Sequence, residues 1–539
     1  MEEIEFFNNL GFDSNPFQFT NADYEERLKN YFIPPPYFNS VWGTPKSPKS
    51  VTIFAPRGGG KTAQRKMIEY ECVKNKNVLC VNYSDFDFPK KAGDITLNDH
   101  LEKIIPIIVL GILTRLNQDP ALAKKLDESD KLYLKYLAEV HLGKLSEKEL
   151  SNAISSLCNY SDKAKKIWND HLGSVNIALN LVLSRLGSKE QDLKKLETSP
   201  KFDETFKYHF KKIPSIVLKM DFSSIYILID KVDESEITGN DANLSAKLIE
   251  PLLKDLDMLE TKGYGFKFFL WDKLVQYYNR YGRKDRIESY SLKWTDSDLK
   301  SMISKRLEEF SNQNISDLSQ IIDSNSNIDI NDLVILFAQK SPRDVIRIIH
   351  DIIAEQREID QNVTRISHNA ILKGIDIFCE KKLSELASED LISDLKKIGK
   401  MEFTINYLAN EVYKCSKGSV RSNKIKKWSD LGFIERIGRI KQGKNLTVNL
   451  YSISDLIVAR NILSEMPIEQ FLKYKCKKCP NCGKYLLRDW DVNQEKVCHY
   501  CSSKIENIDL PKKIVRVISA VQDKNINEDH VNQKTLLDF

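Results

Sequence analysis

The stretch VTIFAPRGGGKTAQR (residues 51–65) constrains the fold more than any other part of the chain. Four β-prone residues, Val51 to Phe54, run into a turn of three glycines, and a helix-compatible segment follows Lys61. Strand, glycine loop and helix in that order make a phosphate-binding loop. Gly58, Gly59 and Gly60 let backbone N–H groups curl around phosphate oxygens with no Cβ in the way. The helix N-terminus adds a dipole that favours the anion. Lys61 can then reach the β- and γ-phosphates, and the Thr62 hydroxyl can sit on Mg²⁺. The expected binding set is Ala55, Pro56, Arg57, Gly58, Gly59, Gly60, Lys61, Thr62 and Ala63, with Ala55 at the position where the usual motif has its first glycine. The competing reading is a glycine turn that merely precedes Lys-Thr.

Further motifs follow in the order such a site needs. YILID (226–230) is an apolar strand that ends in Asp230, and a carboxylate there would hold Mg²⁺ directly or through water. GFKFFLWD (265–272) is another apolar strand, ending in Asp272, a second candidate at the nucleotide. TDSDLKSMISKRLEEF begins with Thr295 and Asp298 at capping-box spacing, and Leu299, Met302, Ile303 and Phe310 mark one helical face. In SPRDVIRIIHDIIAEQRE (341–358), Ser341 is an N-cap, Pro342 takes N1 and Asp344 takes N3. Arg343 falls at N2, where a cation opposes the helix dipole by about 0.3–1 kcal/mol. A triphosphate is a natural partner for it. The alternative is a solvated arginine with no role.

Taken together, Asn15-Pro16-Phe17, APRGGGKT, ILIDKVDE, KWTDSDLKSMISKRL and SPRD resemble the origin-recognition-type and STAND-like branch of AAA+ ATPases, over about residues 12 to 380. The N-terminal part, NPFQFTNADYEERLKNYFIPPPYF, is also similar to a bacterial group of P-loop ATPases. The resemblance implies an ATP-binding α/β P-loop core with a helical lid, Asp230 as Walker B aspartate, Asp272 as sensor 1 and Arg343 as sensor 2. It also implies an arginine finger among Arg280, Arg283 and Arg286 if copies assemble, the alternative being solvated loop charges. One position departs from the pattern. Most nucleotide-hydrolysing AAA+ proteins follow the Walker B aspartate with a glutamate that activates water, and here Lys231 stands in its place. Asp233 is then the first candidate for the catalytic acid and Glu234 the second, acting with Lys61 and Asp230. In the alternative, Lys231 pairs with one of those two acids and both are structural.

At 539 residues the chain is too long for one core, and about three to five domains are expected. About 160 residues separate Thr62 from the Walker B strand, which points to a helical insertion over about 97–215, a possible partner surface. Its most apolar run, IIPIIVLGIL (104–113), is half a bilayer's length and reads as a buried helix. The N-terminus lacks the basic, then apolar, pattern of a secretory signal.

Net charge is only +5, so affinity for nucleic acid must come from a local patch. Residues 403–453 supply one. Their pattern reads as a winged helix-turn-helix whose small core would hold Leu408, Val412, Val420, Ile425, Trp428, Leu431 and Ile434. Between 411 and 444 there are ten Lys or Arg against three Asp or Glu. Arg421, Lys424, Lys426 and Lys427 fall on the recognition helix, and Arg439, Lys441 and Lys444 on the wing, as candidate DNA contacts. The alternative is a protein-binding winged helix. Beyond it, Cys479-x₂-Cys482 and Cys498-x₂-Cys501, fifteen residues apart, have the spacing of a tetrahedral zinc ribbon with a closed, structural site. Cys476 is a spare or a substitute for Cys479. The other five cysteines are scattered singly, which fits a reducing, cytoplasmic compartment.

The expected division is 1–50 as the N-terminal segment of the ATPase, 51–293 core, 294–385 lid, 386–470 winged helix, 471–505 zinc ribbon and 506–539 tail. The function expected is an ATP-binding, ATP-hydrolysing AAA+/STAND-like protein that uses ATP, Mg²⁺ and Zn²⁺. It would couple nucleotide state to DNA or partner binding, with a homo-oligomer possible and no membrane. Mobile-element control or anti-phage defence is implied by the resemblance alone. The alternatives are an ATP-gated DNA-binding regulator without significant hydrolysis, and a protein-binding adaptor.

Overall fold

The computed structural model describes residues 3–75, 77–143, 145–158, 205–323, 329–442, 446–481, 485–487, 496–497 and 503–505. Contacts divide the chain into two units, Asn21–Asp298 and a second made of Met1–Thr20 with Leu299–Phe539.

The first unit is built on a parallel sheet of five strands, β1 (Val51–Ala55), β2 (Val78–Tyr83), β3 (Ser224–Ile229), β4 (Tyr264–Trp271) and β5 (Glu288–Ser291), in the order β2-β3-β4-β1-β5. β1, β3 and β4 are buried along their whole length. Parallel strands covered on both faces read as continuous apolar runs rather than alternating ones, which is why VTIFA, SIYILI and YGFKFFLW form them. The mixed α/β unit with its central parallel sheet is consistent with a P-loop AAA+ fold. Register sets Ala55 beside Trp271 and Ile229 beside Phe268. The carboxyl ends of β1, β3 and β4 therefore open at one edge of the sheet, the place where open α/β sheets present ligand sites.

The segment expected as an insertion begins with helix Leu97–Gln118, which contains the run IIPIIVLGIL. Helices Glu128–His141, Glu147–Ser155 and Phe206–Lys219 follow. Capping boxes at Thr96/Asp99, Asp127/Asp130 and Ser146/Glu149 start the first three. These helices share one apolar core with β2, β3 and β4, so this part of 97–215 covers a face of the sheet. Residues 159–204 lie outside the described residues. No helix among the described residues is long and apolar enough to cross a membrane.

In the second unit, helices Ile330–Ala338, Pro342–Ile359 and His368–Leu386 follow one another. Residues 1–20 belong with them rather than with the sheet. Asn15 Oδ1 accepts from the Phe17 amide at 2.9 Å, a tight turn, and the buried Arg306 donates to the Pro16 carbonyl. The Asp13 amide meets the Phe310 carbonyl at 2.9 Å. The Asn-Pro-Phe motif thus packs within the second unit.

Further along, β6 (Glu402–Thr404), β7 (Ile434–Gln442) and β8 (Leu446–Ile453) form an antiparallel sheet in the order β6-β8-β7. Leu408, Val420, Ile425, Trp428 and Ile434 are buried there as expected. Leu431 is not, at 48% exposed. It falls just past the helical stretch that ends at Asp430. Gly432, at φ 74°, turns the chain so that Phe433 takes the core position instead. Val412 is half-buried. Two short antiparallel ladders close the chain, Cys476–Lys478 with Tyr485–Leu487 and Lys496–Val497 with Lys504–Ile505.

Candidate nucleotide site

Helix Lys61–Lys74 begins directly after the glycine turn. Gly60 caps it at φ 95°, a left-handed backbone that a side chain rarely tolerates. A Cβ on Gly59 would lie 2.9 Å from the Pro56 carbonyl oxygen. The loop is therefore closed tightly by glycine, with the first-turn N–H groups of the helix facing its mouth. The Gly59 carbonyl accepts from Trp294 Nε1 at 2.8 Å, which pins the loop's outer side. Lys61 is buried, with Nζ 3.4 Å from the Ala55 carbonyl oxygen. Pro56 is exposed and Ala63 half-buried on the helix's first turn.

The two residues expected to share Mg²⁺ meet. Thr62 Oγ1 donates to Asp230 Oδ2 at 3.0 Å, although the residues are 168 apart in sequence. Asp230 is 1% exposed. Its Oδ1 also accepts from the Lys231 amide at 2.9 Å, and its Oδ2 from Arg65 Nε at 3.0 Å. Arg65 is a feature that the sequence reading missed. This buried guanidinium serves three carboxylates, Asp230, Glu69 and Asp23. Burial on its own lowers a guanidinium's pKa, but Glu69, Asp230 and Asp23 outweigh it and hold Arg65 above its ordinary range. Burial likewise pushes Asp23 upward, and Arg65 with Lys231 outweighs it, so this carboxyl stays below its usual value.

Lys231 pairs with neither Asp233 nor Glu234. Its Nζ lies 2.6 Å from Asp23 Oδ2, and its backbone is left-handed at φ 61°. That turn feeds Val232–Glu234, a short 3₁₀ segment that carries the two candidate acids in different directions. Asp233 is buried, and its Oδ2 accepts from Arg57 Nε at 3.0 Å. Arg57 in turn lies 4.1 Å over the Trp271 ring. Glu234 and Asp272 are exposed. Arg283 is committed to Asp285 and Arg286 to Glu260, whereas Arg280 is exposed at the end of helix Val275–Tyr281 and makes no ion pair among the described residues. Arg343 belongs to the other unit, half-buried on the first turn of its helix, where Ser341 accepts from the Asp344 amide at 3.2 Å.

Among the candidate DNA contacts, Arg421, Lys426, Lys427 and Arg439 are exposed. Lys424 differs. It is ion-paired with Asp394 and sits 5.0 Å over the Tyr413 ring. The backbone of Lys441 lies in β7, one residue before its end at Gln442, and Lys444 lies outside the described residues. Of the four zinc candidates only Cys479 is described. It is buried with Sγ 3.4 Å from Ser503 Oγ. Cys482, Cys498 and Cys501 lie outside the described residues.

No protein-family model matches the chain, and no curated protein matches it. Two solved structures of the ORC2 protein of Aeropyrum pernix are similar to it. One holds ADPNP and ADP, is 10% identical, and covers 83% of this chain and 95% of that one at a TM-score of 0.33. The other, an ADP form, is 10% identical and covers 81% of this chain and 98% of that one at a TM-score of 0.31. Likenesses at this level assign no role to any residue.

Proposed function

We propose that the chain is an ATP-binding AAA+ protein that couples nucleotide state to DNA binding. The observation that carries the reading is the bond between Thr62 and Asp230 at the mouth of a glycine loop that leads into a helix. A hydroxyl and a carboxylate held together there, with Lys61 as the first residue of the same helix, suit a nucleoside triphosphate and its Mg²⁺. Bound Mg²⁺ would neutralise charge on the phosphates. The chain's own part is to cradle the phosphates on backbone N–H groups from 58 to 62, to place the Lys61 ammonium, and to keep Asp230 fixed through Arg65 and the Lys231 amide. Asp272 completes the set of nucleotide-facing candidates on this unit in this reading, and Arg280 is the best placed of the three arginines to reach a second copy.

The test is calorimetric titration of ADP and a non-hydrolysable ATP analogue into wild type and Lys61→Ala. A charge-assisted hydrogen bond contributes about 1.5–3 kcal/mol, so the variant should bind at least roughly tenfold more weakly. Equal affinity would sink the reading. Turnover of Asp233→Asn beside Glu234→Gln then identifies the acid. If wild type itself binds ATP without turning it over, the ATP-gated regulator without hydrolysis stands. That second reading is favoured by one observation, the engagement of Asp233 Oδ2 by Arg57.

The winged-helix reading of 386–470 rests on the basic helical stretch and on the three-stranded sheet around it, with β6 before the stretch and β7 and β8 after it. The zinc reading rests on the two ladders, because each Cys-x₂-Cys pair falls in sequence between the strands of one ladder. Zinc should co-purify stoichiometrically by elemental analysis, and Cys482→Ser with Cys498→Ser should lose it. Metal retained by that double variant would refute the ligand set.

A further inference from the structure

Arg57 belongs to the phosphate loop, yet its guanidinium points at the candidate catalytic acid. Nε donates to Asp233 Oδ2 at 3.0 Å, and Nη2 reaches the Asp233 carbonyl oxygen at 3.4 Å. We propose that Arg57 is a triphosphate-sensing positioning residue, which holds Asp233 in an ion pair until a γ-phosphate draws the guanidinium away. The inference rests on residues 51–62 being a nucleotide site and deepens that reading.

The two ends of the pair are confined very differently. The Asp233 side chain is 2% exposed and that of Arg57 is 36% exposed. The next residue, Gly58, sits at φ 72°, so the arginine rides on the pliable side of the pair. Asp233 rides on the rigid side. Its 3₁₀ turn is set by left-handed Lys231, whose ammonium is tied to Asp23. A non-glycine residue in that conformation is strained and persists only when its surroundings over-determine it. The ion pair to Asp23 and the amide bond to Asp230 do that. The unusual lysine after the Walker B aspartate therefore aims Asp233 at the phosphate loop.

Trp271 supplies a pivot. Its ring lies under the guanidinium at 4.1 Å, and register places it beside Ala55, where the loop starts. A planar guanidinium can stay on a ring face while it exchanges one anion for another. Arg57 Nη1 makes no hydrogen bond among the described residues, so donors remain for a second anion. A phosphate oxygen offers a charge-assisted bond at least as strong as a carboxylate's. Once the arginine leaves, Asp233 Oδ2 has lost its Arg57 donor and is open to a hydrogen bond from water. In the step this enables, the water oxygen bonds to the γ-phosphorus, its proton passes to Asp233, and the bond to the β–γ bridging oxygen breaks to leave ADP and phosphate. With ADP alone the ion pair stays closed.

Binding of a non-hydrolysable ATP analogue and of ADP, read on full-length wild type, Asp233→Asn, Arg57→Met and the double variant, tests this without relying on hydrolysis. Asp233→Asn releases the arginine and should tighten the analogue by roughly ten- to a hundredfold, the worth of one charge-assisted bond, with ADP unchanged. Arg57→Met keeps an apolar stem on Trp271 and should weaken the analogue alone. In the double variant the gain should vanish. A merely structural pair would instead shift both nucleotides equally, and that result, or a gain that survives in the double variant, overturns the proposal. Should Asp233→Asn not fold, Arg57→Met at its exposed position decides alone, because unchanged discrimination between the two nucleotides refutes a sensor. Failure of wild type to bind either nucleotide is a different result, and it removes the nucleotide site itself.

Discussion

Substituting methionine for Arg65 should lower the unfolding free energy of the sheet-containing unit by about 3–5 kcal/mol, the cost of removing one partner from a buried charge network. Arg65 Nε reaches Asp230, and the two terminal nitrogens reach Glu69 and Asp23. Methionine matches much of the arginine stem, so packing changes little, but the three carboxylates are left with Lys231 at Asp23 and Lys66 at Glu69. Arg65→Lys should recover only part of the loss, because an ammonium is a point charge that cannot fork among three acids. The pH dependence has a definite sign. Arg65 and Lys231 hold the Asp23 carboxyl below its ordinary range against the opposing effect of burial. Stability from that depression is fully present above the unfolded value of about 4 and is lost as pH falls through the folded value. The gap between wild type and Arg65→Met should therefore narrow below about pH 4. Urea midpoints at neutral and acid pH measure both effects, and a neutral-pH difference under about 1 kcal/mol would count against the network.

Why Arg65 escaped the sequence reading is instructive. Residues 51–62 were legible because strand, turn and helix are local, and each residue's part follows from its neighbours. Asp230 was legible because an apolar strand that ends in a carboxylate is also a local pattern. Asp23 and Lys231 are 208 residues apart, and Arg57 and Asp233 are 176 apart. No spacing rule links either pair; the strand order β3-β4-β1 brings Asp233 to Arg57, and the segment Ala22–Tyr24 brings Asp23 to Lys231. That order also separates the two acids after Lys231, since a left-handed turn, invisible in a lysine, sends Asp233 inward and leaves Glu234 outside. In the smaller unit the helical period correctly buried Val420, Ile425 and Trp428 but carried on one step too far, to Leu431. The period ends where Gly432 reverses the chain, so Phe433 fills the core. Residues 1–50 read as part of the ATPase from the resemblance of Asn15-Pro16-Phe17 and its neighbours, and the partners of Pro16 and Asp13, Arg306 and Phe310, arrive almost three hundred residues later.

The same distinction between composition and placement sharpens the DNA reading. Lys424 was grouped with its basic neighbours, but its ammonium is engaged by Asp394 beside the Tyr413 ring. Tyr413 itself donates to the Asp394 carbonyl at 2.6 Å. Lys424 is thus part of the packing between this helical stretch and helix Glu389–Lys396. Arg421, Lys426 and Lys427 are exposed and make no ion pair among the described residues. If the stretch docks on duplex DNA, each exposed cation that neutralises a phosphate contributes about one to the slope of log K against log salt. Replacing Arg421, Lys426 and Lys427 together with alanine should flatten that slope by about three and weaken binding by more than roughly a hundredfold near 0.1 M salt. Lys424→Ala should leave the slope nearly unchanged and instead lower thermal stability, since it unpairs a partly buried Asp394. Fluorescence anisotropy on a labelled duplex across a salt series separates the two kinds of lysine. An unchanged slope in the triple variant would move the basic stretch from DNA to a protein partner, whose binding need not follow phosphate count. A slope lost only with Lys424 would mean that the Asp394 pair opens on binding, and that the composition had been the better guide.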